Sequence, residues 1–353
     1  MPVSPERTPL LSVKDLYVQF PSRGSDIRAV DGASIELAQG EILGLVGESG
    51  CGKSTLSMTI MQLVPKPGRI VSGEIHFLGK DLRALTQREL RQMRGQDMGL
   101  VVQDALAAMN PVTRVQEQVG EVIRDHEGGK WSVIRERVLQ LLRSVNIHQP
   151  KVVLRKYAHQ LSGGMQQRVI IAGALILSPK LLIADEPTTA LDVTVQAQIL
   201  ELLRSIREET NTGILFVSHD LATIADICDR VAVMYAGRIV ETGPVDEVFN
   251  SPIHPYTQAL IGAIPSLDGQ SSKRLKELGG ELPSPDNWPS GCRFHPRCSL
   301  RLQLGEPEEC VTIAPANSGV DAQHSASCHF IDQIEAMSLG SEAREVDTDG
   351  SSA

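Results

Sequence analysis

The chain is organised around Gly47-Glu-Ser-Gly-Cys-Gly-Lys-Ser-Thr55, which matches the G-x-x-x-x-G-K-S pattern of a phosphate-binding loop. The apolar residues 41–46 before it predict a buried strand, and the helix formers at 55–63 predict a helix after it. Glycines let consecutive backbone N–H groups turn inward around an anion, and the start of a helix adds partial positive charge. Strand, loop and helix in this order therefore predict an α/β fold with a nucleotide phosphate site.

Lys53 and Ser54 supply the side-chain chemistry of the loop. Lys53 is long enough to reach the β- and γ-phosphates, and the Ser54 hydroxyl is a suitable Mg²⁺ ligand. Neighbouring backbone amides can lower the pKa of the Cys51 thiol, although a small filler residue is the simpler interpretation. Upstream, Phe20 rather than Tyr17 is the candidate to stack on an adenine ring; the alternative is that both pack in the core. The other predicted nucleotide contacts in the loop are Gly47, Ser49, Gly50, Gly52 and Thr55, together with Cys51.

Polar side chains follow three apolar runs, which places them at the ligand-binding edge of an α/β sheet. Asp185 and Glu186 end one run. Asp185 is predicted to hold Mg²⁺, and Glu186 is predicted to act as the general base toward water. His219 follows a second run and is placed to contact the γ-phosphate and orient the water. Gln103 ends the third and is predicted to touch Mg²⁺ or the attacking water.

A second glycine pair lies in Leu161-Ser-Gly-Gly-Met-Gln-Gln-Arg168. Ser162 is a favourable N-cap, and Gly163 and Gly164 expose backbone N–H groups at a helix start. The motif therefore predicts a second anion site in the same chain. An ordinary capped helix is the alternative interpretation.

Composition excludes several classes of function. The 353 residues carry a net charge of −9, which argues against nucleic acid as a partner because phosphate backbones select basic faces. Aromatic residues make up only 3%, too few for the stacking platforms of single-strand binders. The longest apolar run, residues 169–177, is far shorter than the roughly 20 residues that cross a bilayer. With no signal-peptide pattern at the N-terminus, we expect a cytoplasmic chain unless a partner holds it at a membrane.

Taken together, the ordered motifs resemble those of ABC transporter ATP-binding subunits. They are the phosphate loop, Gln103, Leu161-Ser-Gly-Gly-Met165, Asp185-Glu186, Leu191-Asp192 and His219. Met165 replaces the glutamine that usually ends the signature motif, a variant familiar in peptide importers. The resemblance implies an ABC-type P-loop NTPase domain at residues 1–245. This domain has a RecA-like core, an antiparallel β-subdomain and a helical signature subdomain at about 104–178.

Three further segments are similar to ATPases of the dipeptide/oligopeptide importer type: residues 102–111, 185–198 and 254–267. In the first, Ala105 and Met109 replace a usual proline and leucine. The resemblance implies a C-terminal oligopeptide-transporter-type module at 246–335. Residues 336–353 are rich in serine, glycine and acids, and we expect a disordered tail there.

The resemblance implies an ATPase that powers peptide import, with ATP and Mg²⁺ as ligands. Two such domains close head to tail, so Ser162, Gly163 and Gly164 would serve the partner's ATP. The implied partners are a second, different ATPase subunit, two permeases and an extracytoplasmic peptide-binding protein, at the cytoplasmic face of the inner membrane. Nickel importers share much of this architecture, so the cargo stays open between dipeptides, oligopeptides and nickel.

Two other classes of function compete with transport. One is a soluble ABC ATPase that acts on ribosomes or in DNA repair, but such proteins typically carry two fused cassettes or a coiled-coil insertion. The other is a non-enzymatic nucleotide-binding module. The presence of Lys53, Asp185, Glu186 and His219 argues against it.

Four of the six cysteines crowd into the C-terminal region with the spacing C-x₅-C-x₁₁-C-x₁₇-C. They are Cys292, Cys298, Cys310 and Cys328. In a cytosolic protein such crowding indicates a metal more than disulfides. Four thiolates suit either Zn²⁺ or an iron–sulfur cluster, and the spacing does not choose between them. The resemblance to peptide-importer ATPases favours a [4Fe-4S] cluster with a structural or regulatory role.

Overall fold

The computed structural model of the protein describes residues 9–22, 26–189, 191–263, 279–319 and 323–334. The tail predicted at 336–353 lies outside the described residues, as do parts of the predicted C-terminal module. Across the described ranges no helix has the length and apolar character needed to cross a bilayer.

Strands form two sheets within the described residues. One is antiparallel with the order β2-β1-β4-β5, and the other has the order β11-β12-β10-β9-β3-β8-β7-β6. The strands are β1 Leu11–Phe20, β2 Ile27–Leu37, β3 Ile42–Val46, β4 Arg69–Phe77, β5 Lys80–Asp81, β6 Met98–Val101, β7 Leu181–Asp185, β8 Gly213–Ser218, β9 Arg230–Tyr235, β10 Arg238–Pro244, β11 Ser318–Gly319 and β12 Ser325–Ala326.

Helices follow most strands of the larger sheet, and short 3-10 segments occur at Leu82–Ala84, Ala158–Gln160 and His295–Arg297. The α-helices are α1 Lys53–Ile60, α2 Gln87–Gln96, α3 Ala105–Ala108, α4 Val115–His126, α5 Trp131–Ser144, α6 Pro150–Val153, α7 Gly163–Leu175, α8 Val193–Thr210, α9 Leu221–Ile227, α10 Val245–Asn250, α11 Pro255–Ile261, α12 Ser299–Gln303 and α13 Glu309–Thr312.

The centre of the larger sheet is parallel and brings the predicted site together. Strand β3 pairs in parallel with β8 and β9, and β7 pairs in parallel with β6 and β8. Every residue of β3, β7 and β8 is buried, as expected for parallel strands covered on both faces. The carboxyl ends of these strands lie at one edge of the sheet, so the segments after β3, β6, β7 and β8 meet there.

Alternation along β3 sends its side chains into two different hydrophobic cores. Ile42 and Val46 belong to one buried cluster, and Leu43 and Leu45 belong to the other. This follows because successive side chains of a strand point to opposite faces. The first cluster continues into helices α4, α5 and α7, and the second is closed by the antiparallel sheet. The RecA-like core and the antiparallel β-subdomain expected from the sequence are confirmed.

The region beyond residue 245 packs onto this core instead of standing apart from it. Strand β12 pairs with β10, at Ala326 opposite Glu241, and so extends the larger sheet. Tyr256 and Phe294 stack against Tyr235 of β9, with ring centroids 4.6 Å and 5.3 Å from the Tyr235 ring. The division of the chain at 245/246 therefore stays a prediction, since the two parts share a sheet and a core.

Candidate functional site

The phosphate loop joins β3 to α1, and two glycines fix its path. Gly47 has a φ of 157° and a side-chain carbon there would lie 2.1 Å from the carbonyl oxygen of Met234. Gly52 has a φ of 113°, and a side-chain carbon would lie 2.4 Å from the carbonyl oxygen of Ala29. Larger residues would therefore displace the backbone at both positions. Lys53 begins α1 and is buried, and its Nζ donates to the carbonyl oxygen of Gly47 at 2.7 Å.

Ser54 and Asp185 meet beside the loop. The Ser54 hydroxyl donates to Asp185 Oδ1 at 3.2 Å. Burial raises the pKa of Asp185 above its ordinary value, and the hydrogen bond from Ser54 opposes that shift. A hydroxyl and a carboxylate oxygen are the ligands that Mg²⁺ prefers, so this pair fits the predicted ion.

Glu186 is the centre of a second group of side chains. Its Oε2 accepts hydrogen bonds from Gln103 Nε2 and Thr189 Oγ1, both at 2.9 Å, and its Oε1 lies 3.2 Å from His219 Nδ1. Burial raises the pKa of Glu186, but the hydrogen bonds from Thr189 and His219 outweigh burial and hold the pKa below its ordinary value. The carboxylate is therefore ionised at neutral pH, as a general base requires. Gln103 joins this group, and its contact with Mg²⁺ stays a prediction.

The backbone at Glu186 adopts an unfavourable conformation. Its φ is 47°, in the left-handed region that side chains other than glycine rarely occupy. Hydrogen bonds on both sides stabilise it: the Glu186 N–H donates to Val217 at 2.9 Å, and the Thr189 N–H donates to the Glu186 carbonyl at 3.2 Å. Such positions cost about 1–3 kcal/mol and persist only where their surroundings fix them.

The second glycine motif lies on a different surface. Ser162 is the N-cap of α7, as predicted, but its side chain makes no capping hydrogen bond, and Ser162 and Gly163 are exposed. An open groove of about 800 Å³ runs past them. The groove is lined by Arg143, Asn146, Ile147, His148, Ser162, Gly163, Gly164, Met165, Arg168, Leu191, Asp192, Val195 and Gln198. The motif thus presents free backbone donors to the outside of the chain.

Two of the predicted nucleotide contacts have well-defined surroundings. Phe20 ends β1, is half-buried and packs against the second core cluster, with its ring beside Gly68. Its stacking on adenine stays a prediction. Cys51 is 1% exposed, and burial raises the pKa of its thiol. The lowered pKa considered from the sequence is therefore wrong, because desolvation outweighs the neighbouring charge and amides, and the interpretation as a small filler residue fits better.

The four C-terminal cysteines line one small cavity, together with His254, Phe294 and other residues. All four are free thiols. Burial raises the pKa of Cys292 to about 12 and that of Cys328 to about 11. In the part of the chain that the structure describes, no group of three or more His, Cys, Asp or Glu side chains is arranged to hold a metal ion. The predicted ligand set is gathered around one cavity, but the predicted cluster finds no support in this geometry.

Three contacts around the loop and the carboxylate were missed from the sequence. Thr189 bonds Glu186, Tyr256 accepts a hydrogen bond from the Glu48 N–H at 3.0 Å, and Arg297 pairs with the Glu48 carboxylate. Arg297 and Glu48 are 249 positions apart, so no local pattern links them. A signal for Thr189 existed, because it lies three residues after Glu186 in the turn that follows the strand.

Comparison with known proteins gives the family. The model of the ABC transporter family matches residues 30–189, and that of the oligopeptide/dipeptide transporter C-terminal region matches residues 240–303. The chain is 45% identical over 303 residues to the oligopeptide transport ATP-binding protein OppD of Bacillus subtilis, covering 86% of this chain and 85% of that protein. It is 43% identical over 321 residues to the dipeptide transport ATP-binding protein DppD of Escherichia coli, covering 91% and 96%. The chain belongs to the family of peptide-transporter ABC ATP-binding subunits.

Solved structures of this wider family share the fold. The ATP-binding cassette MJ0796, in a dimeric post-hydrolysis state bound to ADP and Pi, is 26% identical with a TM-score of 0.61. The match covers 67% of this chain and 98% of that one. CbiO1 of Clostridium perfringens, part of the transporter complex cbiONQ, is 29% identical with a TM-score of 0.59 and covers 69% and 92%. The resemblance inferred from the motifs, and the ABC-type fold, are thereby confirmed.

Proposed function

We propose that this chain is the ATP-hydrolysing subunit of an ABC importer for dipeptides or oligopeptides. One observation carries the proposal: Gln103, Thr189 and His219 converge on the Glu186 carboxylate, in a chain related to the peptide-transport ATP-binding proteins of two bacteria. A carboxylate held ionised at the end of a buried strand is equipped to take a proton from water.

The residues around the loop would have different roles in ATP hydrolysis. Lys53 and the loop amides would bind the β- and γ-phosphates. Ser54 and Asp185 would hold Mg²⁺, which when bound supplies positive charge to the phosphate oxygens. Glu186 would accept the proton of the attacking water, and His219 and Gln103 would orient Glu186 and that water.

The outward-facing signature motif supports a head-to-tail dimer. Ser162, Gly163 and Gly164 open onto a groove whose lining comes from the helical region and the start of α8. Free N–H groups at a helix start favour an anion. They would bind the triphosphate held by the loop of a second ATPase subunit, which we propose to be a different chain.

The importer would further comprise two permeases and an extracytoplasmic peptide-binding protein, with this subunit at the cytoplasmic face of the inner membrane. Co-expression with the permeases and the second ATPase tests the assignment. The complex should co-purify, and peptide-loaded binding protein should stimulate its ATP hydrolysis in vesicles. Nickel-dependent stimulation in place of peptide-dependent stimulation would change the cargo, and association with ribosomes instead of permeases would reject the transport role.

The four cysteines are a separate part of the proposal. Their thiols surround one cavity, and four sulfur donors suit a [4Fe-4S] cluster, with Zn²⁺ as the alternative. Anaerobic purification followed by iron, sulfide and zinc analysis distinguishes the two. Four irons and four sulfides per chain are expected, and a protein with neither metal would reject a metal site.

A further inference from the structure

An arginine of the C-terminal region pairs with a carboxylate of the phosphate loop. Arg297 Nη1 donates to Glu48 Oε2 at 2.7 Å, and Arg297 Nη2 donates to Glu48 Oε1 at 3.0 Å. Two parallel bonds of this kind fix both partners in orientation as well as distance. Glu48 is the second residue of the phosphate loop, so the pair connects a residue beside Cys298 directly to the nucleotide site.

The pair lies in surroundings that hold it in place. The Arg297 side chain is 6% exposed and that of Glu48 is 25% exposed. Arg297 Nε also donates to the carbonyl oxygen of Gly279 at 2.9 Å, and its guanidinium lies over the Tyr235 ring. Arg297 is a permanent cation, because a guanidinium stays protonated at every physiological pH.

The backbone of Glu48 is held from the same side. Its N–H donates to the Tyr256 hydroxyl at 3.0 Å, and Tyr256 is completely buried between the rings of Tyr235 and Phe294. Both the backbone and the side chain of Glu48 are thus bound by residues beyond position 245. Glu48 is the only acidic residue in the loop, so its carboxylate is the only negatively charged side chain there.

A carboxylate in a phosphate loop weakens the binding of a negatively charged ligand unless its charge is compensated. It is a negative charge close to the place where the triphosphate binds, and like charges at short range repel more strongly where water is partly excluded. Arg297 pairs with this carboxylate and compensates its charge. Without Arg297, an uncompensated negative charge would lie in the phosphate loop.

We propose that Arg297 is a positioning residue for nucleotide binding, through which the cysteine-bearing region sets the affinity of the phosphate loop for MgATP. This inference rests on the proposed ATPase function. The affinity for ATP then depends on whether Arg297 compensates the charge of Glu48, and not only on the packing of the C-terminal region as a whole.

Titration of the full chain with a fluorescent ATP analogue in the presence of Mg²⁺ tests it. R297Q should raise the Kd about tenfold, because an uncompensated carboxylate then lies in the loop that binds the phosphates. E48Q added to R297Q should return the Kd to within about threefold of the wild type, because the repelling charge is gone. A purely structural role for Arg297 would leave the double variant as weak as R297Q.

Two further variants keep the test decisive. E306Q removes an exposed ion pair with Arg301 in the same region, 3.3 Å long, and should leave the Kd unchanged. E48Q alone should bind at least as tightly as the wild type, a result that does not depend on how well R297Q folds. An unchanged Kd for R297Q, an unrescued double variant, or weaker binding by E48Q would each overturn the inference. Failure of the wild type to bind MgATP at all would instead reject the proposed function.

Discussion

The phosphate-loop face and the signature face of this chain differ in how their donors are arranged. On the first face, segments following β3, β6, β7 and β8 bring Ser54 to Asp185, and Gln103, Thr189 and His219 to Glu186, over contacts of 2.9–3.2 Å. On the second, Ser162 and Gly163 are exposed, and the Ser162 side chain makes no capping bond. The first face has its chemistry assembled, while the second offers backbone donors that need a ligand from outside. In the proposed head-to-tail dimer, each face would be half of a site that a second subunit completes.

The largest expected effect is on the first face. E186Q should lower the rate of ATP hydrolysis about 10²–10⁴-fold, because glutamine keeps the shape but accepts no proton. ATP binding should persist, so the variant should retain unhydrolysed nucleotide, measured by phosphate release and by analysis of the bound nucleotide. E201Q, which changes an exposed carboxylate on α8, is the control. Normal turnover by E186Q would reject Glu186 as the base.

On the second face, a negative charge introduced at Gly163 should prevent the binding of the partner's triphosphate. A side-chain carbon at Gly163 meets its nearest neighbour, Leu191, only at 3.9 Å, and Gly163 is exposed, so G163D has room for its Cβ atom. Its carboxylate should repel the partner's triphosphate and reduce hydrolysis by the assembled complex about 100-fold. The affinity of the isolated chain for ATP should stay unchanged. G163A is the matched control, and loss of ATP binding by isolated G163D would place this motif at the chain's own nucleotide.

A smaller effect is expected at His219. H219A removes a partner of the Glu186 carboxylate, and a hydrogen bond to a charged group contributes about 1.5 kcal/mol, or roughly tenfold in rate. H219Q keeps a donor at a similar reach and should recover part of the activity. The measurement is steady-state hydrolysis with saturating ATP. Activity of H219A within twofold of the wild type would show that the other two partners suffice.

The smallest effect is a displacement of the pH profile. Glu186 is active when ionised, so hydrolysis is retained above its pKa and lost as the pH falls through it. The hydrogen bond from Thr189 helps to hold that pKa below its ordinary value. T189V has the same shape without the donor, so the acidic limb of the rate profile should move up by about one pH unit. T194V on α8 is the control, and an unmoved limb would show that Thr189 does not set the pKa.

The first face was predictable from the sequence to a large degree, since its elements are encoded locally. The apolar runs of β3, β7 and β8 and the glycines of the loop specify strand, turn and helix within a few residues. The polar residues after the strands then meet because parallel strands end at the same edge. Strand β2 has a weaker local signal. Arg28 and Asp31 interrupt its apolar pattern; Arg28 pairs with Asp31 within the strand, and Asp31 also pairs with the distant Arg293.

Contacts between distant segments were beyond prediction. Asp31 is paired with Arg238 and Arg293, both more than 200 positions away, and Glu48 with Arg297. Charged residues of this kind look like ordinary surface positions in a sequence, because nothing local distinguishes a buried partner from a solvated one. The crowding of the cysteines did predict their convergence on one cavity. The spacing does not determine whether the cysteines are arranged as metal ligands, since that depends on distances of tenths of an ångström.

The left-handed backbone at Glu186 sets the stability of the fold against the rate of ATP hydrolysis. Glycine would relieve about 1 kcal/mol of backbone strain at this position, but it would remove the carboxylate. A copy of this subunit freed from the need to hydrolyse ATP would therefore gain heat resistance by the same substitution that silences it. A more stable fold and ATP hydrolysis thus favour different residues at position 186. The glutamate found there is the residue that hydrolysis requires.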